Sequence, residues 1–283
     1  SVLGDLITRH PLVRRVSFTG GTSVGRHIAG IAANKFMPAS LELGGKSPTM
    51  VLDDADLDHA VAGVLYGIFS SSGESCIAGS RLFVARSIYR EFVDRLVAGA
   101  KQLRVGDPAS ESTQMGPLIS DSHRAAVERY VNIGLEEGGH ILCGGERPKG
   151  GLYDKGSYYL PTIIEGLDNQ KTICQEEIFG PVLVVMPFDD IDDLIAQAND
   201  SVYALAAGIW TRDYKKAWSL AKAVKAGNVW INTYKVFSIS TPFGGWRDSG
   251  LGREKGREGI LQYMEQKSVY WGMNEQPLPW AGV

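Results

Sequence analysis

Glu42 and Cys76 stand 34 residues apart, each beside a glycine turn: Leu41-Glu42-Leu43-Gly44-Gly45-Lys46 and Gly73-Glu74-Ser75-Cys76. A thiol attacks carbon as its thiolate, and an intermediate held on sulfur needs a base to activate the water that releases it. One cysteine and one carboxylate can serve both steps. Each also has a plainer reading. Glu42 could pair with Lys46 as a structural ion pair, and free cysteines are most often inert buried hydrophobes. Cys143 and Cys174 fit that second description.

Three further segments carry possible binding chemistry. Gly20, Gly21 and Gly25, with Ser23 between them, follow a strand-like run and open a helix. Free N–H groups at a helix N-terminus and the helix dipole favour phosphate, although G-G-x-x-x-G is not the usual dinucleotide fingerprint and a plain tight turn reads the same way. Glu176-Glu177-Ile178-Phe179-Gly180-Pro181 sets a carboxylate and an aromatic ring beside a Gly-Pro turn. A carboxylate can accept both hydroxyls of a ribose and a ring can pack on a planar group; a charged turn before a strand is the alternative. Asn232-Thr233-Tyr234 and Phe237, then Pro242-Phe243-Gly244-Gly245-Trp246, could line an apolar pocket or simply pack a core.

The elements that must position these groups alternate along the 283 residues. Strands are expected at 13–19, 48–52, 82–85, 139–142, 158–164, 182–188, 205–211, 228–232 and 268–271. Helices are expected after Gly25 through Lys35, then at 55–70 with Asp53 or Asp54 as cap, 88–103, 120–137, 190–199, 213–225 and 254–262. This spacing predicts an α/β protein with a largely parallel sheet. Cys76 falls between a helix and a strand, where functional groups often sit. With 44% hydrophobic and 22% charged residues the composition is that of a globular domain. A net charge of −3 gives no reason to expect nucleic acid or an anionic membrane as partner. No apolar run reaches the roughly 18 residues of a membrane span. Three cysteines without C-x-x-C point to free thiols in a reducing, cytoplasmic setting, and five scattered histidines give no metal-ligand cluster. The first residue is Ser1, which leaves open methionine removal, tag cleavage or a cut within a longer protein.

The ordered series Phe18-Thr19-Gly20-Gly21-Thr22-x-x-Gly25, Leu41 to Pro48, Gly73-x-x-Cys76, Glu176 to Val182, Asn232 and Pro242-Phe243-Gly244-Gly245 resembles the NAD(P)-dependent aldehyde dehydrogenase superfamily. The resemblance covers essentially the whole chain. It implies an aldehyde dehydrogenase-like α/β catalytic domain with a partial Rossmann-like coenzyme domain and a terminal oligomerisation strand. The implied divisions are a coenzyme-domain remnant (1–40), a catalytic domain (41–242), a return to the coenzyme domain (243–261) and an oligomerisation strand and tail (262–283). It implies oxidation of a small-molecule aldehyde to a carboxylic acid with NAD or NADP. Cys76 would form a thiohemiacetal, hydride would pass to the nicotinamide, and water activated by Glu42 would hydrolyse the thioester, with the Cys76 N–H meeting the oxyanion. By the same resemblance Glu177 would bind the nicotinamide ribose with Phe179 beside the ring. Leu43 would hold the carboxamide through its backbone, and Gly20, Gly21, Ser23 and Gly25 would lie by the pyrophosphate. Phe237 and Phe243 would line the aldehyde tunnel. A homo-oligomer, dimer or tetramer, is implied, and no metal.

Two residues depart from the family pattern. Glu74 stands where glutamine is usual, and a like charge there is expected to raise the Cys76 pKa. Lys235, just before the tunnel aromatic, has no family role. The chain matches roughly the C-terminal three-fifths of a family member, so the expected native protein is longer, or is accompanied by the missing part as a separate piece. Two other functions remain open at this point: a cofactor-independent cysteine esterase built on Cys76 and Glu42, and an inactive fragment with a structural or regulatory role.

Overall fold

The computed structural model describes residues 2–273 and 280. In chain order its elements are α1 (Val2–Arg9), β1 (Val16–Thr19), α2 (Thr22–Asn34), β2 (Ala39–Glu42), β3 (Pro48–Val51), α3 (Leu57–Phe69), β4 (Arg81–Ala85), α4 (Tyr89–Gln102) and α5 (Asp121–Glu136). There follow β5 (His140–Cys143), β6 (Thr162–Glu165), α6 (Thr172–Gln175), β7 (Val182–Phe188), α7 (Ile191–Asn199), β8 (Tyr203–Ala204), β9 (Ala206–Trp210) and α8 (Tyr214–Ala223). The last are β10 (Asn228–Ile231), β11 (Trp246–Arg247), β12 (Gly250–Leu251) and α9 (Gly256–Leu261).

A seven-stranded sheet runs β10-β9-β3-β4-β7-β6-β5, parallel except for the antiparallel β5–β6 edge. Successive side chains on a strand point to opposite faces. Leu82 and Val84 therefore pack on one face with Val64, Ile68, Phe92 and Leu96 of α3 and α4. Phe83 packs on the other with Val127, Val131, Leu194 and Leu220 of α5, α7 and α8. Burial on both faces explains why β4 and β7 read as continuous apolar runs rather than alternating ones. A smaller sheet orders β1-β2-β12, with β1 and β2 parallel and β12 antiparallel to β2.

The two sheets meet where the site lies. β1 and β2 end at Thr19 and Glu42, while β3, β4 and β7 begin just after Gly45–Ser47, Cys76–Ser80 and Glu177–Pro181. The C-terminal edge of the small parallel sheet thus faces the N-terminal edge of the large one. β2 runs through the 40/41 division, so the chain crosses between sheets at 43–47.

Several expected elements differ. Leu41 and Glu42 are not in a turn but end β2, pinned between two strands. β6 starts at Thr162 rather than 158, because Pro161 has no N–H to give a ladder and Tyr158 and Tyr159 are buried as core residues instead. The strand expected at 205–211 is β9, in the large sheet, and a short unexpected strand before it, β8, pairs with β11. Asp56, not Asp53 or Asp54, caps α3, accepting the His59 N–H at 3.2 Å. Asp54 instead accepts the Thr211 hydroxyl at 2.6 Å. The strand expected at 268–271 is absent: residues 264–273 form no regular element. Val269, Tyr270 and Trp271 are exposed and pair with no strand among the described residues, and an unpaired extended segment gains no ladder hydrogen bonds. The remainder of the expected oligomerisation segment lies largely outside the described residues.

Candidate active site

Cys76 follows a tight stretch, Ser70–Gly73, in which Ser71 and Ser72 take left-handed backbone angles (φ 56° each) and Gly73 follows at φ 73°. This reverses the chain between α3 and β4 and leaves Cys76 half-buried. Its N–H makes no hydrogen bond to another of the described residues; together with the Ile77 N–H it lowers the thiol pKa. Burial, then the carboxylates of Glu177 and Glu42, outweigh that and push the thiol up to about 11. The expected agent, Glu74, does something else. Its Oε1 accepts the Ile119 N–H at 3.0 Å and lies 3.6 Å from His123 Nε2, so Glu177 and Glu42 are the acids that bear on the thiol.

Glu42 is only 3% exposed, and neither carboxyl oxygen has a hydrogen-bond partner among the described residues. Burial first, then repulsion from Glu254, raise its pKa to about 8 against a smaller opposing pull from Arg253. At neutral pH it is a protonated acid, ready to become a base near pH 8. The ion pair with Lys46 considered from sequence does not form. Lys46 is itself buried, its Nζ has no hydrogen-bond partner, and burial lowers its pKa to about 7.

The turn after β2 holds these groups together by close approach. A β-carbon on Gly45 would collide with the Cys76 carbonyl oxygen, one on Gly44 with Glu177, and one on Gly244 would lie 2.7 Å from Glu42 Oε1. Glu177 Oε1 accepts the Gly45 N–H at 3.0 Å. From the turn between β11 and β12, fully buried Ser249 donates its hydroxyl to the Gly44 carbonyl at 2.7 Å and accepts the Leu43 N–H at 3.0 Å through its own carbonyl. Leu43 therefore has only its carbonyl left for a ligand. Ser249 was not recognised from sequence, since nothing local marks a serine 205 residues away as the clamp of this turn.

A cavity of about 510 Å³ is lined by Thr19, Gly20, Gly21, Glu42, Leu43, Gly44, Glu74, Ser75, Cys76, Glu177 and Phe179. Seven of the expected site residues thus share one space. Gly21 is the N-cap of α2, uses no side-chain cap and leaves room where a β-carbon would stand, so the free N–H groups of that helix open beside the cavity. Ser23 is exposed in the first turn of α2 and Gly25 is buried; neither lines the cavity. Gly25 instead makes way for the Leu43 side chain, with which a β-carbon would collide. Phe179 takes φ 55°, a left-handed angle rare for an aromatic residue, and its carbonyl is 2.7 Å from His123 Nε2. A wider hollow of about 780 Å³ beside Ile239, Lys255 and Tyr263 is lined by neither Cys76 nor Glu42.

Phe237 and Phe243 lie elsewhere. Their rings meet edge to face at 5.6 Å, and Trp230 meets Phe237 at 5.5 Å. Phe243 packs with Cys76 against Ile77, Leu205, Ala206, Trp230 and Tyr234. The thiol thus stands between the cavity and an aromatic group. Lys255, which the sequence did not single out, places Nζ 4.1 Å from the centre of the Phe237 ring.

A betaine aldehyde dehydrogenase of Brucella melitensis is 42% identical over 278 residues, covering 98% of this chain and 57% of that protein. The crystal structure of a betaine aldehyde dehydrogenase mutant from Staphylococcus aureus, in complex with NAD+, superposes with a TM-score of 0.95 at 40% identity, over 98% of this chain and 57% of that one. An aldehyde dehydrogenase from Bacillus cereus, also an NAD+ complex, gives 0.92 at 42% identity, over 96% and 54%. The chain spans about 57% of the length of the curated relatives it matches. The model of the aldehyde dehydrogenase family matches residues 1–269, and the chain belongs to that family.

Proposed function

We propose that this chain supplies the catalytic portion of an NAD-dependent aldehyde dehydrogenase, oxidising an aldehyde to its carboxylic acid through Cys76. The observation that carries the reading is the meeting of Cys76, Glu42 and Glu177 on one cavity that also opens on the free N-terminus of α2. That cavity suits a dinucleotide: room at Gly21, unused helix N–H groups for a pyrophosphate, Glu177 for a ribose and the Leu43 carbonyl for an amide. The NAD+ complexes of the relatives favour NAD over NADP. When bound, the nicotinamide accepts the hydride.

The protein's own residues do the rest. Cys76 adds its sulfur to the aldehyde carbon, and the oxygen becomes an anion within reach of the unused Cys76 N–H. The thiol proton must leave during attack, because a group titrating at about 11 is almost wholly protonated at neutral pH. Glu42, titrating near 8, is the nearer match to working pH, and in its ionised form it withdraws a proton from the water that hydrolyses the thioester. Gly45 and Ser249 hold the turn that sets Glu42 and Cys76 against one another. The divisions at 1–40, 41–242, 243–261 and 262–283, and assembly into an oligomer, belong to the same proposal.

The test follows NADH absorbance with an aldehyde, alongside cleavage of a nitrophenyl ester, in the full natural protein and in Cys76→Ala. Redox turnover lost in the variant is the expected result. Turnover that survives the substitution, or ester cleavage without redox turnover, defeats the proposal.

A further inference from the structure

The aromatic group behind Cys76 is flanked by two lysines that the mechanism above leaves unused. Lys235, also in a left-handed backbone conformation (φ 56°), donates from Nζ to Ser70 Oγ at 2.7 Å and lies 5.8 Å from the Tyr66 ring. It is partly buried, which lowers its pKa to about 8, and the charge that acts in the other direction is Cys76 itself. Its ammonium therefore lies within the electrostatic reach of the thiol. Lys255 stacks its ammonium on Phe237 at 4.1 Å and on Phe243 at 5.4 Å. Neither lysine makes an ion pair among the described residues. Lys255 thus borders two rings of the group that packs beside Cys76, and Lys235, next in the chain to Tyr234 of that group, is held at Ser70.

These contacts decide which aldehyde fits. A quaternary ammonium group would bind by stacking on aromatic faces, as cations do. Here the chain's own Lys255 stacks on Phe237 and Phe243, and Lys235 adds a second like charge; like charges brought together are a strong device for rejecting a ligand. A carboxylate at the far end of the substrate would supply a counter-charge that neither lysine has among the described residues. We propose, on the dehydrogenase reading above, that Lys235 and Lys255 make this site selective for an aldehyde carrying a terminal carboxylate, and set it against cationic aldehydes such as the betaine aldehyde for which its relatives are named.

Two measurements on the full natural protein separate this proposal from the reading it rests on. The first needs no turnover. Cys76 is labelled with anionic, neutral and cationic methanethiosulfonates, and the modified peptide is identified by mass spectrometry. Lys235→Met and Lys255→Met are each expected to lower the anionic-to-cationic rate ratio about fivefold, the scale of one partly screened charge. Lys235→Arg keeps the charge and is expected to keep the ratio, which separates lost charge from lost structure. A ratio unmoved by either methionine variant overturns the proposal. The second measurement compares kcat/KM for succinate semialdehyde, butanal and betaine aldehyde with NAD. Succinate semialdehyde is expected to lead and betaine aldehyde to trail; the reverse order overturns the proposal. Labelling that responds to the lysines while no aldehyde reduces NAD leaves the charge selection standing and removes the dehydrogenase reading.

Discussion

Glu42→Gln should make the protein more resistant to unfolding as pH rises, and by an amount the structure sets. The carboxyl is almost fully buried, has no hydrogen-bond partner, and titrates at about 8 instead of its ordinary 4.5. Between those two values the folded state holds a proton that the unfolded state has lost, so stability falls as pH rises through this window and levels off above about pH 8. At 1.36 kcal/mol per pH unit the whole effect is about 5 kcal/mol, a large share of the roughly 5–15 kcal/mol that holds a domain together. Glutamine keeps the shape and cannot ionise; its buried amide costs the same at every pH. Urea unfolding of the two proteins from about pH 5 to about pH 9 should give stability curves that separate steadily in favour of the variant. Parallel curves would show that Glu42 does not carry the burial penalty argued for it. The same substitution should slow thioester hydrolysis by about 10²- to 10⁴-fold, the usual range for loss of a general base. It should also remove the increase in rate on approach to pH 8.

Glu177→Gln should lower the pH midpoint for alkylation of Cys76 by iodoacetamide below about 11, because the variant removes a negative charge that opposes the thiolate; a midpoint that stays put or rises contradicts this. Gly45→Ala should cost about 1–3 kcal/mol in thermal or urea unfolding and most of the activity, since its methyl meets the Cys76 backbone carbonyl rather than a yielding side chain. Unchanged stability would show that the turn has slack. His123→Ala should raise KM for NAD more than it lowers kcat, because the Phe179 carbonyl loses the imidazole that steadies its left-handed turn. Equal loss in kcat with KM unchanged would place His123 outside coenzyme positioning.

Much of this site could be read along the chain. Glu42, Cys76, Glu177 and Phe179 each sit in a short segment whose glycines announce a close approach, and the order of those segments carries the family resemblance. Gly20, Gly21 and Leu43 also line the cavity. What failed were readings that needed a partner distant in sequence. Glu74 was expected to oppose the thiolate because it is two residues away, yet its carboxylate turns to Ile119 and His123 while Glu177, a hundred residues on, faces the sulfur. Gly25 was expected at a phosphate and instead clears space for Leu43. The strand expected at 268–271 has good strand composition but no neighbour to pair with among the described residues.

The residue types and their order determined which chemistry is available: a thiol, a carboxylate, a helix N-terminus and a strand-helix alternation that places all three at or near the ends of elements. They did so because nucleophilicity, glycine's freedom and hydrophobic periodicity are local properties. Only the tertiary structure decided the protonation states of Glu42 and Cys76, the clamp by Ser249 and the two lysines beside Phe237 and Phe243. Those depend on burial and on distances between groups more than 200 residues apart in the chain. A pKa responds to what surrounds a group in space, and the chain acquires those surroundings only when its sheets close on one another.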